Sequence, residues 1–255
     1  MALYHPDEER FTDENGHPGR FIAPMRDPKA IYDSAWKNGA PFRSFTIEKG
    51  DVSYLESVGY AGRPASEIPS RAMCVYDEQS KTRIKGVPYK GSFVFTPTVY
   101  KLVEGARDFV DITRDWVVCA QWNCHLPAGY GGGRSPPFAL MVGLVKNVGR
   151  VLRVEGRTTP AIGAPSTSFV VHEEPFENLR LRQVQITLLD SDGKDGGFIE
   201  AKIGGASAPV SRYDGPTGHA GSSQAYFSYG AYGSPWCPGN EIFNTTFSSV
   251  VEGRV

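Results

Sequence analysis

Residues 115–140 read DWVVCAQWNCHLPAGYGGGRSPPFAL, and the fold turns on how this stretch is read. Side chains along a strand alternate between its two faces. Taken as a strand from Trp116, the segment puts Trp116, Val118, Ala120 and Trp122 on one face and Cys119, Gln121 and Asn123 on the other. The first set suits a core. The second places two amides at the centre of the opposite face. A glycine-rich loop at 129–133 follows, carrying Arg134, and the apolar run 138–144 predicts a strand that returns beside the first.

Outward from this unit the pattern stays β. Before it, strands are predicted at 42–48, 71–76 and 91–95. After it, they are predicted at 148–154, 169–172, 179–189, 197–203, 226–232 and 245–251, with turn signals at Asp192-Gly193, Gly204-Gly205 and Gly215-Pro216. Many short strands with little helical periodicity argue an all-β sandwich or jelly roll spanning 41–255. Residues 1–40 differ, being charged and rich in Pro and Gly. They predict an extended N-terminal arm with a short helix near 28–37, either a floppy terminus or an attachment segment that orders on a partner.

Composition narrows the functional classes. A chain of 255 residues with a formal net charge of −1 offers no general attraction for nucleic acid or an anionic membrane. No apolar run approaches the roughly 20 residues of a membrane span. The start, MALYHPDEER, carries no secretory signal pattern. Cys74, Cys119, Cys124 and Cys237 are too few for a disulfide scaffold, and their spacings miss the usual zinc patterns. They are expected as free or buried thiols, with metal or a disulfide as the alternative.

Two further strands carry candidate binding residues. In 179–189, Val184, Ile186 and Leu188 share one face, and Gln183, Gln185 and Thr187 the other. Uncharged hydrogen-bonding side chains behind an apolar face suit sugar binding, and equally a plain solvent-facing sheet. In 224–236, QAYFSYGAYGSPW, alternation groups Tyr226, Ser228 and Tyr232 against Phe227, Tyr229 and Ala231. Gly230 leaves space beside Tyr232 for a ligand or a neighbouring backbone. Tyrosines in strands are commonly packing residues, so this grouping alone leaves both readings open.

Together these stretches resemble the β-jelly-roll polysaccharide lyases, in particular the heparin-lyase-like and glucuronan-lyase-like families. The family strand Gln-Trp-His appears as Gln121-Trp122-Asn123, followed by glycines 131–133 and Ser135-Pro136-Pro137. The family strand Tyr-Phe-Lys-Phe-Gly-Ile-Tyr appears as Tyr226-Phe227-Ser228-Tyr229-Gly230-Ala231-Tyr232. Asp195-Gly196-Gly197-Phe198, Gly215-Pro216-Thr217-Gly218 and Tyr89-Lys90-Gly91-Ser92-Phe93 are similar to other family segments. Arg71 stands where the family has Arg-x-Glu, with Met73 in place of the acid. The resemblance implies a concanavalin A-like jelly roll of two antiparallel sheets.

It also implies a chemistry, β-elimination beside a uronic acid. The sugar carboxylate must be neutralised, a base must take the C5 proton, and an acid must protonate the leaving oxygen. Neutralisation would fall to Gln121 helped by Arg71, and acid or base work to Tyr232. The family's His is Asn123, which can hydrogen-bond a carboxylate but cannot shuttle a proton. The family's Lys is Ser228, removing a cation beside Tyr232; a tyrosine, with an ordinary pKa of about 10, needs one to act as a base at neutral pH. Arg71 or Arg134 could supply it. His125 is a candidate substitute for the lost His. Arg134, Tyr226, Ser228, Gln183, Gln185, Tyr130 and Trp236 are expected to contact sugar, whereas His172 and His219 read as ordinary surface or turn histidines. No cofactor is required, although some family members carry a structural calcium.

Three roles are compatible with these residues. The first is a module that binds anionic, uronate-containing polysaccharide without catalysis, the second an active lyase. The third is the receptor-recognising part of a phage or virus-like particle, whose other subunits would hold the arm. Polysaccharide of this kind lies outside cells, so an extracellular or virion-associated location is expected.

Overall fold

Apolar residues at every second position need a second layer to bury them, and the chain answers with two stacked sheets. The structure is a computed structural model that describes residues 10–12, 18–22, 42–47, 51–52, 58, 60–64, 67–76, 88–101, 116–130, 136–145, 149–175, 182–204, 208–234 and 241–254. In chain order the strands are β1 (Arg10–Thr12), β2 (Pro18–Ile22), β3 (Phe42–Ile47), β4 (Ser70–Tyr76) and β5 (Tyr89–Lys101). Then come β6 (Trp116–His125), β7 (Phe138–Val145), β8 (Gly149–Thr159), β9 (Thr167–Pro175) and β10 (Arg182–Leu189). The last are β11 (Gly197–Ile203), β12 (Ser211–Gly215), β13 (Gly218–His219), β14 (Ser223–Gly233) and β15 (Glu241–Arg254).

A nine-stranded sheet runs β1-β2-β4-β14-β6-β7-β8-β13, with β9 also on β8, and a six-stranded sheet runs β12-β11-β10-β5-β15-β3. The fold is the all-β jelly roll expected. Its pairings are antiparallel apart from the short β13–β8 contact, which is parallel. The expected strands are present, several of them longer than their apolar cores suggested. β12 carries no clear alternation in its sequence, SRYDG, and was not foreseen.

The N-terminal segment divides differently from the sequence reading. β2 pairs with β4, Arg20 opposite Val75 and Phe21 opposite Cys74, and β1 pairs with β2. Residues 10–12 and 18–22 thus form the edge of the large sheet rather than an arm apart from it. A strand edge satisfies its backbone groups by such pairing even where the sequence lacks a long apolar run. The helix expected at 28–37 lies outside the described residues.

Between the sheets sit Phe45, Ile47, Tyr89, Trp122, Phe138, Phe227, Tyr229 and Phe247, all buried. Trp122 is the central piece, its ring 4.8 Å from that of Phe227 and 5.6 Å from that of Phe138. Gly91 on the facing sheet permits this: a Cβ there would lie 2.8 Å from the tip of the Trp122 ring. The indole faces inward, against Gly91 of the facing sheet. Its strand neighbours Gln121 and Asn123 consequently face outward.

Candidate functional site

The alternation read from Trp116 holds for only half of β6. Against β7, Val118 pairs with Met141 and Ala120 with Leu140, so two steps on β6 match one on β7. This is a β-bulge, which inserts a residue and reverses the side-chain phase beyond it. Val117, Cys119, Ala120 and Trp122 therefore lie in the main core. Trp116 and Val118 join Met141, Ala139, Val151 and Tyr232 in a separate apolar cluster on the outer face. The sequence reading placed Cys119 with the amides and Trp116 and Val118 in the main core, and the bulge reverses all three. It also lets the outward row Gln121 and Asn123 share a face with Tyr232.

β14 shows a matching irregularity. Tyr229 stands opposite Ala120 but Tyr232 stands opposite Val118, an extra residue on β14. Gly230 lies at the irregularity with φ +143°. A Cβ there would lie 2.4 Å from the Ala72 carbonyl oxygen, so the space that Gly230 leaves is filled by the β4 backbone and not by a ligand. The Gly230 carbonyl accepts a hydrogen bond from Thr245 Oγ1 at 3.0 Å, tying this point of the large sheet to the small one.

These local features bring Arg71, Gln121, Asn123, His125 and Tyr232 around one cleft of about 280 Å³, completed by Cys124, Leu126 and Pro136. Tyr232 lies directly opposite Arg71 across the β4–β14 pairing. The Arg71 guanidinium sits 5.0 Å from the centre of the Tyr232 ring, within cation–π range. Trp116 meets the same ring edge-on at 5.3 Å, so the phenol is held between a cation and an indole. Ser228 is fully buried opposite Gln121, and its Oγ accepts a hydrogen bond from Asn123 Nδ2 at 3.3 Å. Gln121 is itself 4% exposed, so a carboxylate reaching it would be largely out of water. His125 is exposed at the far end of β6. Along β6 it lies seven positions beyond Val118, the residue opposite Tyr232, and it lines the same cleft.

The remaining expected contacts fall elsewhere. Gln183 and Gln185 lie on β10, in the six-stranded sheet, with Val184, Ile186 and Leu188 filling the core behind them. They point away from the sandwich on the side opposite the cleft, because alternation fixes the face of a strand but not the sheet it joins. Tyr130 donates from its hydroxyl to the Ala220 carbonyl at 2.7 Å and packs its ring on His219, which makes it a loop anchor. His219 is buried rather than at the surface, with Nδ1 2.8 Å from Thr159 Oγ1. His172 is half-buried, its Nδ1 2.9 Å from Ser211 Oγ. Tyr226 stands opposite Asn123 in the β14–β6 register. Arg134 and Trp236 lie outside the described residues.

Some neighbours of the cleft were not among the candidate site residues. Pro136 forms part of its wall, and its carbonyl accepts from Arg157 on β8 at 3.5 Å. Arg157 is also 2.7 Å from Glu155 and bonded to Ser168, so its charge is largely spent within the sheet. Cys124 lines the cleft, while Cys119 is sealed in the core, where burial pushes its thiol well above the ordinary range. Among the described residues no group of three or more His, Cys, Asp or Glu could hold a metal ion.

No protein-family model matches the sequence, and no curated protein matches it. Solved structures do match its fold. Alginate lyase AlyC3 in complex with dimannuronate aligns over 84% of this chain and 74% of its own at 10% identity, with a TM-score of 0.51. A variant of the family 7 alginate lyase A1-II' in complex with substrate aligns over 100% of this chain and 97% of its own at 9% identity, also with a TM-score of 0.51. The PL7 alginate lyase AlyA1 from Zobellia galactanivorans aligns over 86% and 83% at 11% identity, with a TM-score of 0.49. At such identities the likeness concerns the jelly roll alone. The neighbours are alginate lyases rather than heparin or glucuronan lyases, and what this chain shares with them is the jelly roll.

Proposed function

We propose that this chain binds an acidic polysaccharide in the cleft on its large sheet and cleaves it by β-elimination beside a uronate. The observation that carries this is the pairing of Arg71 with Tyr232. Ser228 removes the cation that the lyase pattern carries on the same strand as its tyrosine. Arg71 brings one from the adjacent strand, where its positive charge favours the ionised phenol that the base step requires.

The steps follow from the lining groups. Gln121 and Asn123 donate amide N–H groups to the sugar carboxylate, spreading its charge as the C5 carbanion character develops. Tyr232, ionised beforehand, takes the C5 proton on its oxygen and becomes the neutral phenol. The electron pair left at C5 forms the C4–C5 double bond as the C4–O bond breaks, and the proton returns from Tyr232 to the departing oxygen. No water is consumed. One residue on one face of the ring can perform both transfers when the C5 hydrogen and the C4 oxygen lie on that same face. That relieves Asn123 of any proton-shuttling duty.

Alginate is the first substrate to try, since the fold neighbours are alginate lyases, one of them in complex with dimannuronate. The test is the ultraviolet absorbance of the double bond formed, followed during incubation with alginate and with glucuronate polymers. A steady rise with one polymer supports the lyase. Retention on a polymer with no rise would leave a binding module without chemistry. Neither rise nor retention would overturn the proposal.

A further inference from the structure

We infer that Ser228 is a positioning residue for Asn123, and that the two departures from the lyase pattern, His to Asn and Lys to Ser, form one hydrogen-bonded unit. This rests on the proposed function, because it assigns the pair a duty toward the sugar carboxylate. Ser228 stands opposite Gln121, and Asn123 lies two residues further along β6, so the two are diagonal neighbours on the outer face. Their side chains meet at 3.3 Å, Asn123 Nδ2 donating to Ser228 Oγ.

The terminal torsion of an asparagine is broad, and its two ends are chemically opposite. Presented by its nitrogen, the amide stabilises a carboxylate. Presented by its oxygen, it repels one. With one N–H held by Ser228, the plane of the amide is fixed and the second N–H remains for the ligand. The serine is fully buried, so nothing from solvent competes for that hydrogen bond. A lysine at 228 could not do this work. It has no acceptor to offer the amide, and its charge would be introduced at a position with no exposure. A serine here thus suits an asparagine at 123, and the positive charge reaches the site through Arg71 instead.

The test compares Ser228→Ala and Ser228→Cys with the wild-type chain on sodium alginate. Cysteine matches the shape of serine but is a weak acceptor, so it separates packing from hydrogen bonding. Both variants are expected to lose about 10-fold or more in kcat with a smaller change in KM, since the amide acts most strongly as charge develops, while thermal stability stays near that of the wild type. In the unliganded protein, the side-chain amide protons of Asn123 should exchange faster with solvent in both variants. Unchanged kcat in an active protein, or unchanged amide exchange, would overturn the inference. Should the wild type prove inactive on every uronate polymer, the lyase reading fails, while the amide exchange still decides whether Ser228 holds Asn123.

Discussion

Gln121 and Gln185 occupy equivalent places in the local pattern, each an outward glutamine flanked by residues that fill the core, yet they serve different surfaces. Gln121 sits on the large sheet, 4% exposed beside Arg71, Asn123 and Tyr232. Gln185 sits on the small sheet between Ser92 and Lys202, on the far side of the molecule. The difference lies in what neighbours each strand. β6 has β14 beside it and β4 beyond that, so three separated segments pool their polar groups. A glutamine becomes part of a site when strands remote in sequence bring it partners of complementary chemistry.

The sharpest break between these faces should come from Tyr232→Phe. Removal of the hydroxyl that moves the proton is expected to cost at least about 100-fold in kcat, measured by absorbance of the unsaturated product, with polymer retention preserved. Unaltered turnover would exclude Tyr232 as the acid and base. Gln121→Ala should lower kcat/KM by about 10-fold or more, through loss of a donor to the carboxylate in a site shielded from water. Thiol labelling offers a chemical version of the same contrast. Cys124 lines the cleft and should be alkylated under native conditions with loss of activity. Cys119, buried and with its thiol pushed upward, should be labelled only after unfolding, as mass spectrometry of the peptides would reveal. The smallest effect is expected for Gln185→Ala, with kcat/KM within about two-fold of wild type, as for surface changes remote from a site. A large loss there would mean that the small sheet also handles the polymer.

Much of the fold could be read directly. The alternation of Val184, Ile186 and Leu188 with Gln183, Gln185 and Thr187 gives both faces of β10, and 197–203 matches β11 from end to end. The site was partly legible too: Arg71, Gln121, Asn123, His125 and Tyr232 do meet at one cleft. Nothing local to Tyr130 reveals the Ala220 carbonyl, 90 positions away, that accepts a hydrogen bond from its hydroxyl.

The sequence by itself determined that this chain is built of strands, and for most of them which residues face inward, because burial of alternate apolar side chains is a local and periodic demand. It also supplied the chemical kinds at the site, two amides, a phenol and a guanidinium. The tertiary structure decided the rest. The bulge at Cys119–Ala120 shows in the register of β6 against β7 and, with the irregularity on β14, leaves Trp116 beside Tyr232. The meeting of Arg71 with Tyr232, and of Ser228 with Asn123, likewise depends on which strands lie side by side. That order is set by how the two sheets fill their shared core, a property of the whole chain that no single segment encodes.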